Sequence, residues 1–342
     1  MRRLTVLSVA YPFAPVGPDA VGGAEQVLSA IDAALVAAGH RSVVVACAGS
    51  QVAGDLRAVP ATTGEIDDAV RNRMHAVLRA AIAAALPAAD VVHLHGIDFA
   101  AYLPPPGPPA LATLHLPPAW YPQAALAPAR PGTFLHCVSA SQHARCPPGP
   151  HMLPPIANGV PVAALAARHA RRGFALMLGR ICPEKGQHLA LRAAHAAGVP
   201  LLLAGAAFPY PAHRAYFAGS VAPLLDARRR WIGPVGFARK RRLLTAARCV
   251  LIPSLAPETS SLVAMEAAAC GTPAIAFRNG ALPEIVRDGI TGFLVDDTEA
   301  MARAIGRAAA IDPAACRAEA RARFDLGRMT DAYLARYAAL AR

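Results

Sequence analysis

The sequence predicts an α/β protein of two Rossmann-like domains, each a parallel sheet with helices on both faces. Three observations carry this. Short apolar runs alternate with helical patterns along all 342 residues. The alternation restarts once, after a Pro- and Gly-rich segment (146–161) that reads as an interdomain linker. At 55% hydrophobic and 16% charged, the chain can bury two cores, and its length suits two domains. The ligand of such paired sheets is expected in a cleft where the carboxyl ends of both sets of strands face each other.

In the first half, Leu4–Tyr11 reads as a strand and Gly23–Gly39 as a helix closed by Gly39. Ser42–Ala48 is a strand and Ile66–Leu86 a helix; Val91–Leu94, Ala110–Leu116 and Phe134–Val138 are short strands separated by proline-rich loops. In the second half, Phe174–Leu178, Leu201–Ala204, Trp231–Val235, Cys249–Pro253, Ala274–Phe277 and Phe293–Val295 read as strands. Between them lie helices at Lys185–Ala197, Arg214–Arg230, Arg239–Ala247 and Ser261–Cys270, and Glu299–Ala310 and Pro313–Arg342 close the chain. The opening MRRLTVLSVAYPF has two arginines and an apolar run, but no small-residue cleavage site follows. It reads as a buried strand rather than a signal peptide. No run reaches the length of a transmembrane helix.

Seven scattered cysteines with no C-x-x-C pair argue against a disulfide framework or a zinc site and favour a reducing cytoplasm. The formal charge of +12 is uneven: residues 1–160 hold 9 arginines against 9 acids, so the excess lies beyond them. A basic half attracts nucleic acid, acidic lipid or a diphosphate. Nucleic acid is disfavoured, because no aromatic interleaving or binding motif accompanies the charge. Of 34 basic residues only Lys185 and Lys240 are lysine. An ammonium is a compact point charge that arginine's planar fork replaces poorly, so these two positions draw notice.

Four segments carry chemistry. In Pro257-Glu258-Thr259-Ser260-Ser261-Leu262, a loop after a strand opens a helix whose first amides and dipole make an anion site. Glu258 stands at that mouth and Glu266 about a turn inside. Carboxylates repel phosphate but accept hydrogen bonds from hydroxyls, which fits a sugar on one side and a ribose on the other. A helix-dipole glutamate plus a surface glutamate is the plainer reading. In Gly179-Arg180-Ile181-Cys182-Pro183-Glu184-Lys185-Gly186, Arg180 and Lys185 straddle a strand-to-helix turn and can neutralise one diphosphate without a metal. An ordinary charged surface turn is the alternative. Gly22-Gly23-Ala24-Glu25 opens the first helix, where a backbone amide can approach a ligand closely. It is not G-x-G-x-x-G, so a nicotinamide dehydrogenase is a distant alternative. Histidines fall at strand ends, His93 and His95 in VVHLHG and His115 in TLH. A structural role is the expectation for His93, and no D-x-D or H-E-x-x-H metal motif occurs.

In this order, GGAEQVL, VVHLHG, TLH, FLHCVSASQ, NGV, GRICPEKG, WIGPVG and PETSSLVAMEAAACGTPAIAF followed by LPEIVRDGITGFLV resemble the family-four retaining glycosyltransferases of the GT-B fold. The resemblance implies a metal-independent hexosyltransferase that takes a UDP-linked sugar as co-substrate and needs no further cofactor. It implies Glu258 on the donor-sugar hydroxyls, Glu266 on the ribose, and Arg180 and Lys185 on the diphosphate. Gly22 and Gly23 would offer amides to the diphosphate, and His115 would line the sugar pocket. Val235 and Gly236 would meet the base, Thr259, Ser260, Ser261 and Leu262 would close the helix mouth, and Lys240 matches a helix lysine of less defined role. It implies domains at 1–160 and 161–322, with a terminal helix at 323–342 crossing back to the first. Thr259-Ser260 departs from the frequent Phe-Gly, which leaves the sugar open. The acceptor, a glycan, lipid-linked or small molecule, is also open. The first half, with no net charge, argues for at most peripheral membrane contact. A nucleotide-sugar hydrolase or epimerase of the same fold, or a silent nucleotide-sugar binder, are the rival expectations.

Overall fold

The computed structural model describes residues 2–167 and 169–342. It divides into two compact units: the chain up to Asn158 together with Gly327–Arg342, and Gly159–Leu326.

The first unit holds a seven-stranded parallel sheet: β1 (Thr5–Val9), β2 (Arg41–Cys47), β3 (Asp55–Val59), β4 (Val91–Leu94), β5 (Ala110–Leu114), β6 (Thr133–Cys137) and β7 (Met152–Leu153), in spatial order β3-β2-β1-β4-β5-β6-β7. Six of the seven residues of β2 and all of β4 and β5 are buried, as helices on both faces require. The second unit holds β8 (Ala175–Leu178), β9 (Leu201–Ala204), β10 (Arg229–Trp231), β11 (Cys249–Ile252), β12 (Ala274–Phe277) and β13 (Gly292–Val295), in order β10-β9-β8-β11-β12-β13. Its core gathers Leu176, Leu191, Leu201, Leu251, Ile275 and Ile305. Both sheets are parallel throughout, and each reverses its winding once, between β1 and β4 and between β8 and β11. Such switch points open a crevice at the strand carboxyl ends.

The structure departs from the sequence reading in five places. β3 was not anticipated, because DLRAV is a polar edge strand with only Val59 buried. β7 lies within the segment read as a linker. The helix expected over Arg214–Arg230 is a short helix Pro211–Tyr216, a π turn Phe217–Val221 and a 3-10 turn Ala222–Leu224. Gly219 and Pro223 weaken a regular helix there, and the Asp226 carboxylate accepts from the amides of Arg228 (2.8 Å) and Arg229 (2.6 Å), turning the chain into β10. That strand ends at Trp231 instead of starting there, since Pro234 has no amide to give. The terminal helix breaks into Pro313–Arg323 and Leu326–Leu340. At the break, Val160 donates to Phe324 O (2.8 Å) and accepts from Leu326 N (3.0 Å), a bridge that a continuous helix would forbid.

The last helix packs in the first unit. Tyr333 and Tyr337 are fully buried, and Arg336 donates to Pro154 O at 3.1 Å. Among the described residues no helix is long and apolar enough to cross a membrane, and all seven cysteines are free thiols.

Candidate active site

The switch point of the second sheet carries most of the candidate residues. The chain leaving β8 runs through Gly179 and Arg180 into a single turn, Pro183–Lys185, and then the helix Gln187–Ala196. The chain leaving β11 runs through Ser254 to Glu258 and into the helix Leu262–Ala269. The two loops are tied together, Leu255 N donating to Glu184 O at 2.8 Å. Gly186 sits in the left-handed region (φ 69°), and a Cβ there would collide with Pro253 O, so the position suits glycine on both counts.

The side chains meet as two lysine–glutamate pairs. Lys185 Nζ lies 2.6 Å from Glu258 Oε1, which also accepts from the buried Ser254 hydroxyl. Lys240 Nζ lies 2.5 Å from Glu266 Oε1, the glutamate side chain being 5% exposed. The chain's two lysines therefore each hold one of the two candidate acids. Burial raises the Glu266 carboxyl above its usual range, with Lys240 opposing. Val235 and Gly236 lead into the helix Phe237–Ala246, whose first turn is tied by Lys240 N donating to Gly236 O (2.9 Å).

The helix Leu262–Ala269 is capped by Ser261, whose hydroxyl accepts from Ala264 N at 3.3 Å. Ser260 Oγ, one residue earlier, is buried with no hydrogen-bond partner. A buried hydroxyl left unpaired costs about 1–3 kcal/mol, so a ligand hydroxyl or phosphate oxygen there would be rewarded. Arg180 is not in the lysine–glutamate cluster: its guanidinium lies 5.8 Å from the Phe208 ring centroid. Its carbonyl accepts from Gln187 Nε2 (2.7 Å), which anchors the β8 exit.

Two features were missed from sequence. The Glu258 backbone is gripped from β12: Ala281 N donates to Glu258 O at 2.7 Å, and Gly280 (φ 60°) has no room for a Cβ against Pro257 and Glu258. Asn279 Nδ2 donates to Ser254 O (3.1 Å) and Leu255 O (3.0 Å). The Asn-Gly pair after the strand Ala274–Phe277 was the available signal. Cys182, Glu184 and His213 bring ligating atoms within 4.8 Å of one another. The Arg180 charge bears on both Cys182 and His213, which disfavours a cation there.

His115, Gly22 and Gly23 belong to the first unit. Gly22 caps the helix Gly23–Ala37, with the Glu25 carboxylate folded back toward it. His115 follows β5, its Nε2 3.0 Å from His95 Nδ1. His93, expected to be structural, is fully buried within the sheet.

Two α/β units with all-parallel sheets and charged loops at a switch point define a protein of the GT-B glycosyltransferase fold. Residues 172–310 match the family model described as glycosyl transferases group 1. The D-inositol 3-phosphate glycosyltransferase of Mycobacterium avium is 37% identical over 174 residues, 47% of this chain and 40% of that protein. The chain thus spans well under two thirds of that relative's length. Among solved structures, AviGT4, a glycosyltransferase involved in avilamycin A biosynthesis, superposes with a TM-score of 0.72 at 27% identity over 99% of this chain and 98% of that one. Anabaena HepE, crystallised with UDP-glucose, gives 0.78 at 19% identity over 98% and 100%. The second unit is thus similar to the group 1 glycosyl transferases, and the chain as a whole shares the GT-B fold of the solved glycosyltransferases.

Proposed function

We propose that the chain transfers a sugar from a nucleotide-diphosphate donor to a hydroxyl acceptor with retention of anomeric configuration and without a metal. The observation that carries this is Lys185 on Glu258 beside the capped mouth of Leu262–Ala269. A carboxylate held by an ammonium and a buried serine is pre-aimed, able to accept hydrogen bonds from two sugar hydroxyls. The positive charge a departing diphosphate needs would come from Lys185 and the helix amides. Retention follows if the acceptor attacks on the face the diphosphate leaves, the leaving oxygen taking the acceptor's proton. Glu266, buried on Lys240, suits the ribose hydroxyls; His115 and the amides of Gly22 and Gly23 are the first unit's own candidate ligand contacts.

UDP-glucose is the first donor to test, since a fold relative was crystallised with it. The acceptor class is a polyol, glycan or lipid-linked hydroxyl, and the seven free thiols suit a cytoplasmic enzyme. A thermal-shift screen of nucleotide sugars would find the donor, because a ligand bound only by the folded state raises the melting point. Lys185→Ala and Glu258→Ala are expected to remove most donor turnover while circular dichroism and melting stay close to wild type. Undiminished turnover in both would reject the assignment. Nucleotide release without an acceptor, undiminished by competing acceptors, would indicate a hydrolase instead.

A further inference from the structure

Two thiols of the first unit, Cys137 and Cys146, stand nine residues apart with their sulfurs 3.4 Å from each other. Their settings differ. Cys137 ends β6 and is fully buried. Cys146 follows the helical turn Ala140–His143 and is half-exposed, while the other six cysteines are buried. Negative charge on sulfur costs least where water reaches it, so the Cys137 thiol donates and Cys146 accepts. Accepting that bond lowers the Cys146 pKa below the usual thiol range. Donating it raises Cys137, and burial adds to the rise. Cys47, Cys182, Cys249, Cys270 and Cys316 are all raised by burial. Cys146 thus combines solvent access with thiolate character, the two properties that select a thiol for oxidation.

We propose that Cys146 and Cys137 are a peroxide-oxidised pair, Cys146 attacking and Cys137 resolving, whose closure to a disulfide acts on the segment that carries His115. The Cys146 thiolate attacks one oxygen of hydrogen peroxide, the O–O bond breaks, and the leaving hydroxide takes up a proton as water. Cys146 is then a sulfenic acid. The Cys137 sulfur attacks the Cys146 sulfur, the S–O bond breaks, and the departing hydroxide leaves as water with the Cys137 proton. Two thiols give up two electrons in all, and one peroxide is reduced to two waters. The sulfurs must close from 3.4 Å by about 1.4 Å to reach disulfide length. Transient, sensing disulfides are the kind that a reducing compartment permits. The stretch between the two cysteines grips the His115 segment. Gln142, buried, donates through Nε2 to Leu114 O (2.8 Å) and Leu116 O (2.9 Å), the carbonyls on either side of His115. Its Oε1 accepts from Val138 N at 2.8 Å, beside Cys137. Cys146 N donates to His143 O at 3.0 Å, so this sulfur rides on the same turn as Gln142. Drawing Cys146 toward the end of β6 therefore pulls on both neighbours of His115.

The test treats the full chain, reduced and then freed of reductant, with a slight molar excess of hydrogen peroxide near neutral pH. Alkylation and tryptic mapping follow. Arg145 lies between the two cysteines, so trypsin separates them unless a disulfide holds the fragments together. The expected result is a loss of two of the seven thiols, with the fragments of Cys137 and Cys146 linked and dithiothreitol reversing the link. Seven persisting thiols, a link between other cysteines, or Cys146 carried on to sulfinic acid without a link would overturn the proposal. Cys137→Ala removes the resolving thiol and should stop at the sulfenic acid, which dimedone traps at Cys146; Cys146→Ser should take up none. Dimedone at another cysteine in Cys137→Ala would equally overturn it. Should that variant fail to fold, the wild-type map and Cys146→Ser decide the matter. In proton–nitrogen spectra of the labelled chain, oxidation should shift the His115 and Leu116 amides, dithiothreitol should restore them, and Cys146→Ser should show no shift. A linked protein with both amides unmoved would overturn the action on His115. Donor turnover enters none of these readouts, so the thiol pair and the sugar-transfer reading stand or fall separately.

Discussion

Lowering the pH from 7 to 5 should destabilise the first unit by several kcal/mol, well above the point where carboxylates titrate. His93, His95 and His136 are buried and His115 half-buried, and all four are neutral in the folded state because burial disfavours their charged forms. In the unfolded chain each binds a proton near 6.5. The unfolded state therefore holds more protons between 6.5 and the folded values, and stability must rise with pH across that window. Stability from these groups is complete above about 6.5 and drains as pH falls toward the folded values of about 4 for His115 and about 3 for His136. At pH 5 each of these two contributes a loss of about 2 kcal/mol relative to pH 7, so the pair contributes about 4 kcal/mol. His93 and His95 act in the same direction, whereas Glu266, raised by burial, acts in the opposite one. A loss of about 4 kcal/mol is a large fraction of the about 5–15 kcal/mol that holds a domain folded. The assay is urea unfolding at half-unit steps of pH, followed by near-ultraviolet dichroism of the buried tyrosines, with the slope m checked for constancy. Near pH 5.5 the linkage should show at least two protons taken up on unfolding. A free energy flat from pH 7 to 5 would refute the reasoning, and would mean that the histidines are solvated or already charged.

Lys240→Met should cost about 3–5 kcal/mol, because it strands a buried carboxylate, and the double change Lys240→Met with Glu266→Leu should recover much of that in chemical denaturation. Gly280→Ala should cost about 1–2 kcal/mol for its left-handed backbone alone, and should lower donor turnover by displacing the Glu258 peptide; melting and turnover measured on one preparation check both. The lysine and glutamate truncations at 185 and 258 stand with these as activity tests.

The alternation of apolar runs was enough to read the parallel sheets, because a strand buried on both faces has no polar alternation to confuse it. Every central strand, from Thr5–Val9 to Ala274–Phe277, announces itself in this way. The edges do not. Asp55–Val59 is half polar because one face meets water, and Met152–Leu153 is too short to have a period. Arg214–Arg230 misled because the turn that ends it is dictated by Asp226 accepting two amides, an interaction local to a few residues. The break at Asp325 was illegible for another reason: its partner Val160 is remote in sequence, and no local pattern encodes such a bridge.

At the site, residue type was legible and pairing was not. Glu258, Glu266, Lys185 and Lys240 all stand out as charges in or beside helix starts, but nothing in their spacing says which lysine meets which acid. The structure couples Lys185 to Glu258 and Lys240 to Glu266, and this assigns different jobs to similar residues. The Lys185 side chain is 32% exposed, so its ammonium can exchange a carboxylate for an arriving phosphate at little desolvation cost. The Lys240 side chain is 13% exposed and its glutamate 5%, so that pair would pay several kcal/mol to separate and acts as a fixed wall. A chain that writes arginine at 32 of 34 basic positions keeps lysine at the two places where one small cation must sit on one carboxylate oxygen. Arginine's wider fork would reach Ser254 as well as Glu258, or would need room that the 5%-exposed Glu266 does not leave. Lys185→Arg should therefore hold charge yet lose donor turnover, whereas a purely electrostatic role would leave the rate near wild type.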